Sequence, residues 1–243
     1  MNKYKILVFD LDDTLIDNLK NVKHAFTKIL EIEDHNYSEK CFERWFRIDK
    51  QFWSDYQDGL IELPEKLKNE EGKNRDELLD WVRAQRFLLY FNNDITLERA
   101  IELNNIYMNA LKENVIEIDG AHDTLEYLNK QGYRIVIATN GPKVATREKI
   151  TKIGCSKYVN EIFSADMFGY MKPDKRFGLG LKKAINNFNT DEYLIIGDSL
   201  KSDVGLAMEC NFDSCWFNKN GDKLNSKYKP TMIITKLNEL NLL

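Results

Sequence analysis

Short, almost continuous apolar runs recur along the chain and are separated by longer segments that mix apolar and polar residues. The runs are Ile6-Leu7-Val8-Phe9, Ile135-Val136-Ile137-Ala138, Ile162-Phe163, Tyr193-Leu194-Ile195-Ile196, Cys215-Trp216-Phe217 and Met232-Ile233-Ile234. Because such runs are apolar on both faces, they predict strands of a parallel sheet that helices cover on both sides. Amphipathic segments at 121–131, 143–153, 174–187 and 202–210 are long enough to be the crossover helices. The pattern therefore predicts an α/β fold with a doubly wound parallel sheet.

The stretch from residue 18 to residue 115 has a different pattern and contains no convincing buried strand. Aromatic and aliphatic residues recur there at three- and four-residue steps, which is typical of amphipathic helices. Examples are Phe42, Trp45, Phe46, Phe52 and Trp53. We therefore predict a sheet domain made of residues 1–17 and 116–243, with an all-helical domain of residues 18–115 inserted after the first strand.

The composition excludes several classes of function. Among 243 residues, Lys and Arg number 35 against 39 Asp and Glu, for a net charge of −4. Such a balance gives no electrostatic support to a nucleic acid polymer or an anionic membrane as partner. No apolar run approaches the roughly 20 residues of a membrane span, and the start lacks a signal-peptide core. We expect a cytoplasmic protein with no membrane partner; the pattern leaves its oligomeric state open.

Polar residues follow four of the predicted strands. They are Asp10-Leu11-Asp12-Asp13-Thr14, Thr139-Asn140-Gly141, the segment Gly169 to Asp174 with Lys172, and Gly197-Asp198 followed by Asp203. An open parallel sheet binds its ligands beyond the carboxyl ends of its strands. We therefore expect these side chains to meet at one edge of the sheet.

The chemistry of these residues indicates a metal and a phosphate. Acidic clusters at one edge would repel one another without a cation, and oxygen ligands suit a hard ion such as Mg²⁺. Lys172 and the Thr139 hydroxyl would complement the oxygens of a phosphate group. Of the two aspartates that follow the first strand, one can attack while the other transfers protons. The predicted ligand is a small-molecule phosphate ester.

The same residues resemble the motifs of the haloacid dehalogenase-like superfamily of aspartate-nucleophile hydrolases. The four motifs occur in the family's order: Asp10-x-Asp12-x-Thr14, Thr139, Lys172 with Pro173-Asp174, and Gly197-Asp198-x4-Asp203. Together they cover the whole predicted sheet domain, for which the resemblance implies a Rossmann-like core. The helical insertion is similar to the C1-type cap of this family. In the family's dehalogenases the position of Asp12 is not acidic, so Asp12 favours phosphoryl transfer.

The resemblance implies a role for each matching residue. Asp10 would be the nucleophile that forms an aspartyl-phosphate, and Asp12 would be the general acid and base. Thr139, the backbone N–H of Asn140 and Lys172 would bind the phosphoryl oxygens. Asp10, Asp198 and the main-chain carbonyl of Asp12 would bind Mg²⁺. Asp203 would orient metal-bound water or pair with Lys172.

A subgroup of the family is also similar. The segments Gly197 to Asp203 and Asp213 to Asn218, with Arg86-Phe87, resemble bacterial nucleotidases that act on pyrimidine nucleoside monophosphates. The resemblance implies an Mg²⁺-dependent phosphatase acting on a nucleoside 5′-monophosphate. The alternatives are a phosphomutase acting on a sugar phosphate and a non-catalytic phosphate-binding regulatory protein. Substrate specificity would come from the helical domain, where Gly59 and Arg86 are the candidates.

Overall fold

The structure is a computed structural model that describes residues 3–68, 75–224 and 227–243. Its chain divides into two units. The first consists of Met1–Leu19 together with Val115–Leu243, and the second of Lys20–Asn114. In the described part of the chain, no helix combines the length and the apolar character needed to cross a bilayer.

The first unit is built on a six-stranded sheet in which every pair of neighbouring strands is parallel. The strands are β1 (Ile6–Phe9), β2 (Arg134–Thr139), β3 (Glu161–Ser164), β4 (Tyr193–Gly197), β5 (Asp213–Phe217) and β6 (Met232–Ile234). Their order is β3-β2-β1-β4-β5-β6, which confirms the predicted doubly wound sheet. Because the order reverses beside β1, the crevice at its carboxyl end lies between β1 and β4.

Helices cover both faces of this sheet. They are α6 (Ala121–Lys130), α7 (Lys143–Lys152), α8 (Ala165–Phe168), α9 (Lys175–Ile185), a π-helical turn (Leu200–Val204) and α10 (Gly205–Cys210). Alternate residues of β1 enter different cores: Leu7 and Phe9 pack with residues of α6, whereas Ile6 and Val8 pack with residues of α9 and α10. This two-sided burial explains why the strands are apolar throughout.

The second unit contains helices around an aromatic core. The helices are α1 (Asn18–Ile32), α2 (Glu39–Gln57), α3 (Glu65–Lys68), α4 (Arg75–Tyr90) and α5 (Leu97–Ala110). Trp45 is fully buried and stacks on Phe26 with a ring-centroid distance of 5.1 Å. Phe87 and Tyr107 pack against the same indole. The apolar positions at three- and four-residue steps therefore form this core.

The chain leaves the first unit after residue 19 and returns to it at residue 115. Within the first unit, the segments just before and just after the helical insertion lie side by side. The Asp17 N–H donates to the Ile116 carbonyl at 2.8 Å, and the Ile118 N–H donates to the Leu15 carbonyl at 2.9 Å. Ile16 also forms an antiparallel bridge with Glu117. The loop that carries the first aspartates is thus fixed by main-chain hydrogen bonds at its far end.

Candidate active site

Asp10 stands where β1 ends. Its N–H donates to the Ile196 carbonyl at 2.8 Å, so the residue continues the pairing with β4. The loop then turns sharply, since the N–H groups of Leu15 and Ile16 both donate to the Leu11 carbonyl. These contacts leave the Asp10 side chain only 14% exposed at the carboxyl edge of the sheet.

Lys172 is the cation at the centre of this edge, and its side chain is 2% exposed. Its Nζ donates to Asp10 Oδ1 at 2.7 Å, to Asp203 Oδ1 at 2.6 Å and to the Ala138 carbonyl at 2.7 Å. An ammonium group has three protons, so these three acceptors use its donors. Burial opposes the charged form, but the Asp10 and Asp203 charges outweigh it, and the pKa of Lys172 is raised. The Lys172 side chain therefore joins the ends of β1 and β2 to the segment after β4.

Asn140 links two of the loops that the sequence brings to this edge. Its Oδ1 accepts the Lys172 N–H at 2.7 Å, and its Nδ2 donates to the Lys172 carbonyl at 3.1 Å. The side-chain amide thus pairs with the backbone of Lys172 as one strand pairs with another. Thr139, which is 2% exposed, accepts the Gly141 N–H at 3.0 Å. Both residues shape the turn from β2 into α7.

Asp198 follows β4, and its backbone is held by Thr14 and Trp216. Neither residue was given a role from the sequence. The Asp198 N–H donates to the Thr14 hydroxyl at 3.0 Å, and the Asp198 carbonyl accepts from Trp216 Nε1 at 2.8 Å. The Thr14 oxygen also lies 3.4 Å from Asp10 Oδ2 and from Asp198 Oδ1. Thr14 belongs to the first motif and could be found from the sequence. The contact of Trp216 with Asp198 could not, because it depends on β5 lying beside β4.

Asp203 is buried in the π-helical turn after β4 and is 2% exposed. Its Oδ1 accepts from Lys172, and its Oδ2 accepts the Ser199 N–H at 3.1 Å. Of the two roles that the sequence analysis left open for Asp203, pairing with Lys172 is therefore present.

The carboxylates of Asp10, Asp198 and Asp203 form a group whose nearest oxygens lie within 4.8 Å of one another. When all three are ionised, their negative charges against the single positive charge of Lys172 leave a surplus of two. Burial, followed by the Asp10 and Asp203 charges, raises the pKa of Asp198 to about 8. Burial likewise raises the pKa of Asp10 to about 7, although Lys172 opposes the shift. A buried oxygen-donor group with a surplus charge of −2 fits a hard divalent cation.

Asp12 faces a lysine that the sequence analysis did not identify. Its Oδ1 accepts from Lys149 Nζ at 2.6 Å, and the Asp12 side chain is 34% exposed. Lys149 lies in α7 next to Ile150, whose side chain is in the sheet core. Lys149 lies on the buried face of α7 with Thr146 and Ile150, but the few apolar residues of this helix mark no face, so the sequence alone carried no signal for this lysine.

Gly59 and Arg86, the candidates for substrate specificity, lie in the helical unit. Gly59 follows the C-cap of α2 with φ +71°, a conformation that favours glycine. Arg86 is 3% exposed and donates to Asp49, to Asn104 Oδ1 at 3.1 Å and to the Arg83 carbonyl at 3.0 Å. These contacts hold the Arg86 side chain in the interior of the unit, and the role in substrate specificity expected for Gly59 and Arg86 stays a prediction.

Comparison with known proteins places this architecture in a family. The family model of haloacid dehalogenase-like hydrolases matches residues 4–209. The chain therefore belongs to the haloacid dehalogenase-like (HAD) hydrolases. The predictions of a Rossmann-like core of this family and of an enzyme are confirmed.

Individual relatives resemble most of the chain. Pyrimidine 5′-nucleotidase PynA of Streptococcus pneumoniae is 26% identical over 237 residues, which span 98% of this chain and 93% of PynA. Glyceraldehyde 3-phosphate phosphatase of Pyrococcus abyssi is 30% identical over 215 residues, covering 88% of this chain and 81% of that protein. The crystal structure of the HAD-hydrolase YfnB from Bacillus subtilis bound to magnesium superposes with a TM-score of 0.83 at 26% identity, covering 98% and 97% of the two chains. The resemblance to bacterial pyrimidine 5′-nucleotidases is thus confirmed.

Proposed function

We propose that this HAD-family phosphatase hydrolyses nucleoside 5′-monophosphates with Mg²⁺ as cofactor and an aspartyl-phosphate as intermediate. The observation that carries the proposal is the group of buried carboxylates around Lys172. Asp10 lies in this group with Oδ1 bonded to Lys172. A carboxylate oxygen oriented in this way at the edge of the sheet is a suitable nucleophile for phosphorus.

In the first step, an Asp10 oxygen forms a bond to phosphorus while the bond from phosphorus to the leaving alcohol breaks. Asp12 donates a proton to the departing oxygen. In the second step, Asp12 takes a proton from water, and the water oxygen bonds to phosphorus. The acyl phosphate bond then breaks, which restores Asp10 and releases inorganic phosphate. One residue can serve both steps because each step returns it to the protonation state that the next requires.

The phosphoryl group would be bound by the turn after β2. The Thr139 hydroxyl and the Asn140 N–H stand at the start of the turn into α7, where backbone donors suit an anion. Lys172 would contribute its charge. Since its three protons already have acceptors, a direct contact with phosphate would require sharing one of those protons.

Asp10, Asp198 and the main-chain carbonyl of Asp12 would hold Mg²⁺. The surplus of two negative charges in the carboxylate group supports this assignment, as does the magnesium in the YfnB crystal structure. A bound Mg²⁺ supplies positive charge that neutralises the carboxylates and the phosphoryl oxygens. Asp203, fixed by Lys172 and the Ser199 N–H, would keep Lys172 in place.

The choice of a nucleotide rests on the similarity to PynA and on the segments that resemble pyrimidine nucleotidases. A sugar phosphate is the second candidate, because the Pyrococcus abyssi relative is a glyceraldehyde 3-phosphate phosphatase at 30% identity. A phosphomutase would use the same aspartates but transfer the phosphoryl group to a sugar hydroxyl. A purely regulatory protein would not require Asp10, Asp12, Lys172 and Asp198 together.

The proposal is tested by measuring phosphate release from pyrimidine and purine nucleoside monophosphates, glyceraldehyde 3-phosphate and hexose phosphates with Mg²⁺. We expect the highest kcat/KM for a pyrimidine nucleotide. Asp10→Asn should abolish turnover, since uncatalysed monoester hydrolysis is extremely slow. Asp13→Asn is the matched control, because Asp13 has φ +65°, which asparagine tolerates, and it should retain most activity.

Three outcomes would contradict parts of the proposal. Near-normal phosphate release by Asp10→Asn would exclude the covalent mechanism. Conversion of a hexose 1-phosphate to the 6-phosphate without free phosphate would identify a mutase. No hydrolysis of any ester would favour the regulatory alternative.

A further inference from the structure

The two carboxylate oxygens of Asp12 have different surroundings. Its Oδ1 accepts from Lys149 Nζ at 2.6 Å. Within the described part of the chain, the other oxygen, Oδ2, accepts no hydrogen bond from the protein. One oxygen is therefore fixed by a cation, while the other is available to a substrate or to water.

Lys149 is unusual for a helix lysine because its side chain is only 9% exposed. It lies on the face of α7 that also buries Thr146 and Ile150. Among the described residues, the Asp12 carboxylate is the one acceptor within hydrogen-bond distance of its ammonium group. A buried charge is unfavourable unless it is paired, so the position of Lys149 is explained by Asp12.

The contact joins two separate parts of the active site. Asp12 belongs to the loop after β1, whereas Lys149 lies in the helix that begins after Thr139 and Asn140. The same helix would thus present its first turn to the phosphoryl group and its buried lysine to the proton-transferring aspartate. This connection fixes the proton donor relative to the phosphate-binding turn.

We propose that Lys149 is a positioning residue that fixes Oδ1 of Asp12 so that Oδ2 is directed to the leaving-group oxygen of the phosphate ester. This inference rests on the proposed function, in which Asp12 donates and then recovers one proton. Lys149 itself forms no bond to the substrate and exchanges no proton. It acts by restricting the rotation of the Asp12 side chain.

The leaving group provides the test. A nucleoside or other alkyl alkoxide needs a proton as it departs, whereas 4-nitrophenolate is stable enough to leave without one. The value of kcat/KM covers the steps up to departure of the leaving group. Loss of the positioning residue should therefore reduce kcat/KM for alkyl esters much more than for 4-nitrophenyl phosphate.

The experiment compares the wild-type enzyme with Lys149→Met, Lys149→Arg and Lys152→Met on the preferred nucleotide and on 4-nitrophenyl phosphate with Mg²⁺. For Lys149→Met we expect kcat/KM to fall about 10- to 100-fold on the nucleotide and less than about threefold on the aryl ester. On the nucleotide the loss should lie in kcat and not in KM. Lys149→Arg should recover part of it. Lys152, an exposed residue at the end of α7, is the matched control and should have little effect.

An equal loss on both esters would overturn the inference, because a lysine with a merely structural role would affect both alike. No loss on either ester would overturn it as well. Thermal melting of each variant checks the fold. If Lys149→Met is unfolded, the same comparison is made with Lys149→Gln, which removes the charge but keeps a polar side chain, and a ratio of the two esters equal to that of the wild-type enzyme would refute the role. Failure of the wild-type enzyme to hydrolyse any ester would instead refute the proposed function, and with it this inference.

Discussion

A Cβ atom added to Gly197 would lie 2.1 Å from Oδ2 of Asp203. The Asp203 carboxylate folds back over the end of β4 to reach this place, where it accepts the Ser199 N–H and the Lys172 ammonium. The last residue of β4 therefore has to be glycine for Asp203 to approach so closely. Gly197 and Asp203, both parts of the fourth motif, depend on each other because any side chain at residue 197 would occupy the place of the Asp203 carboxylate.

Gly197→Ala should destabilise the protein by about 1–3 kcal/mol, because a buried carboxylate must move away from its donors. We also expect lower activity, since Lys172 would lose one acceptor. The free energy of unfolding from urea denaturation measures the first effect. Gly141→Ala is the control for stability, because its added Cβ would meet Thr139 Oγ1 at an ordinary 3.4 Å. Equal stability of the two variants would contradict the steric argument.

Lys172→Met should remove the cation shared by Asp10 and Asp203 and leave both carboxylates buried without it. Removal of one partner of a buried ion pair costs about 3–5 kcal/mol. The loss should be smaller at about pH 6 than at about pH 8, because a carboxylate in this group can take up a proton at the lower pH. Lys130→Met breaks the exposed pair with Glu126 and should leave the free energy of unfolding nearly unchanged. Urea denaturation at both pH values measures these differences, and a loss independent of pH would argue against the electrostatic explanation.

The metal-free protein should lose stability as the pH rises. The pKa values of Asp10, about 7, and of Asp198, about 8, lie above the ordinary value of 3.8. The folded protein therefore keeps protons that the unfolded chain has already released, and the stability that these protons provide is lost as the pH passes through the folded-state values. We expect the melting temperature in EDTA to fall between about pH 6 and pH 9, and to fall less for Asp198→Asn.

Mg²⁺ should counteract this loss. Because metal binding requires the ionised carboxylates, the ion should raise the melting temperature more at about pH 8.5 than at about pH 6. Calorimetric scans with EDTA or with Mg²⁺ make the comparison. If the melting temperature in EDTA had the same pH dependence in the wild-type protein and in Asp198→Asn, groups other than Asp198 would be responsible for the loss of stability.

Arg86→Met should act mainly on stability. The substitution leaves Asp49, whose side chain is 15% exposed, without its cation, and we expect a loss of about 3 kcal/mol. The double variant Arg86→Met/Asp49→Leu should be closer to the wild-type protein, because neither charge then remains unpaired. Chemical denaturation of both variants measures this. A raised KM for the nucleotide with unchanged stability would instead support the substrate-binding role expected from the sequence.

The strands and the order of the motif residues could be predicted from the sequence because both depend on local composition. A strand that is buried on both faces must be apolar throughout, and the residues after parallel strands share one edge. Asp10, Asp198 and Lys172 were predicted to lie at this edge, and they lie close together in the structure. The contact of Thr14 with Asp10 could also have been predicted, because both residues lie in the same short loop.

Other features depended on packing between distant segments. Lys149 meets Asp12 across 137 positions of sequence, and Trp216 reaches Asp198 only because β5 pairs with β4. The direction of the Arg86 side chain was set by its partners Asp49 and Asn104 on other helices. The sequence by itself determined the sheet, its apolar strands and the chemical types at its edge, since each follows from residues adjacent in the chain. Only the tertiary structure decided which charge pairs with which, because that choice depends on distances that no local pattern contains.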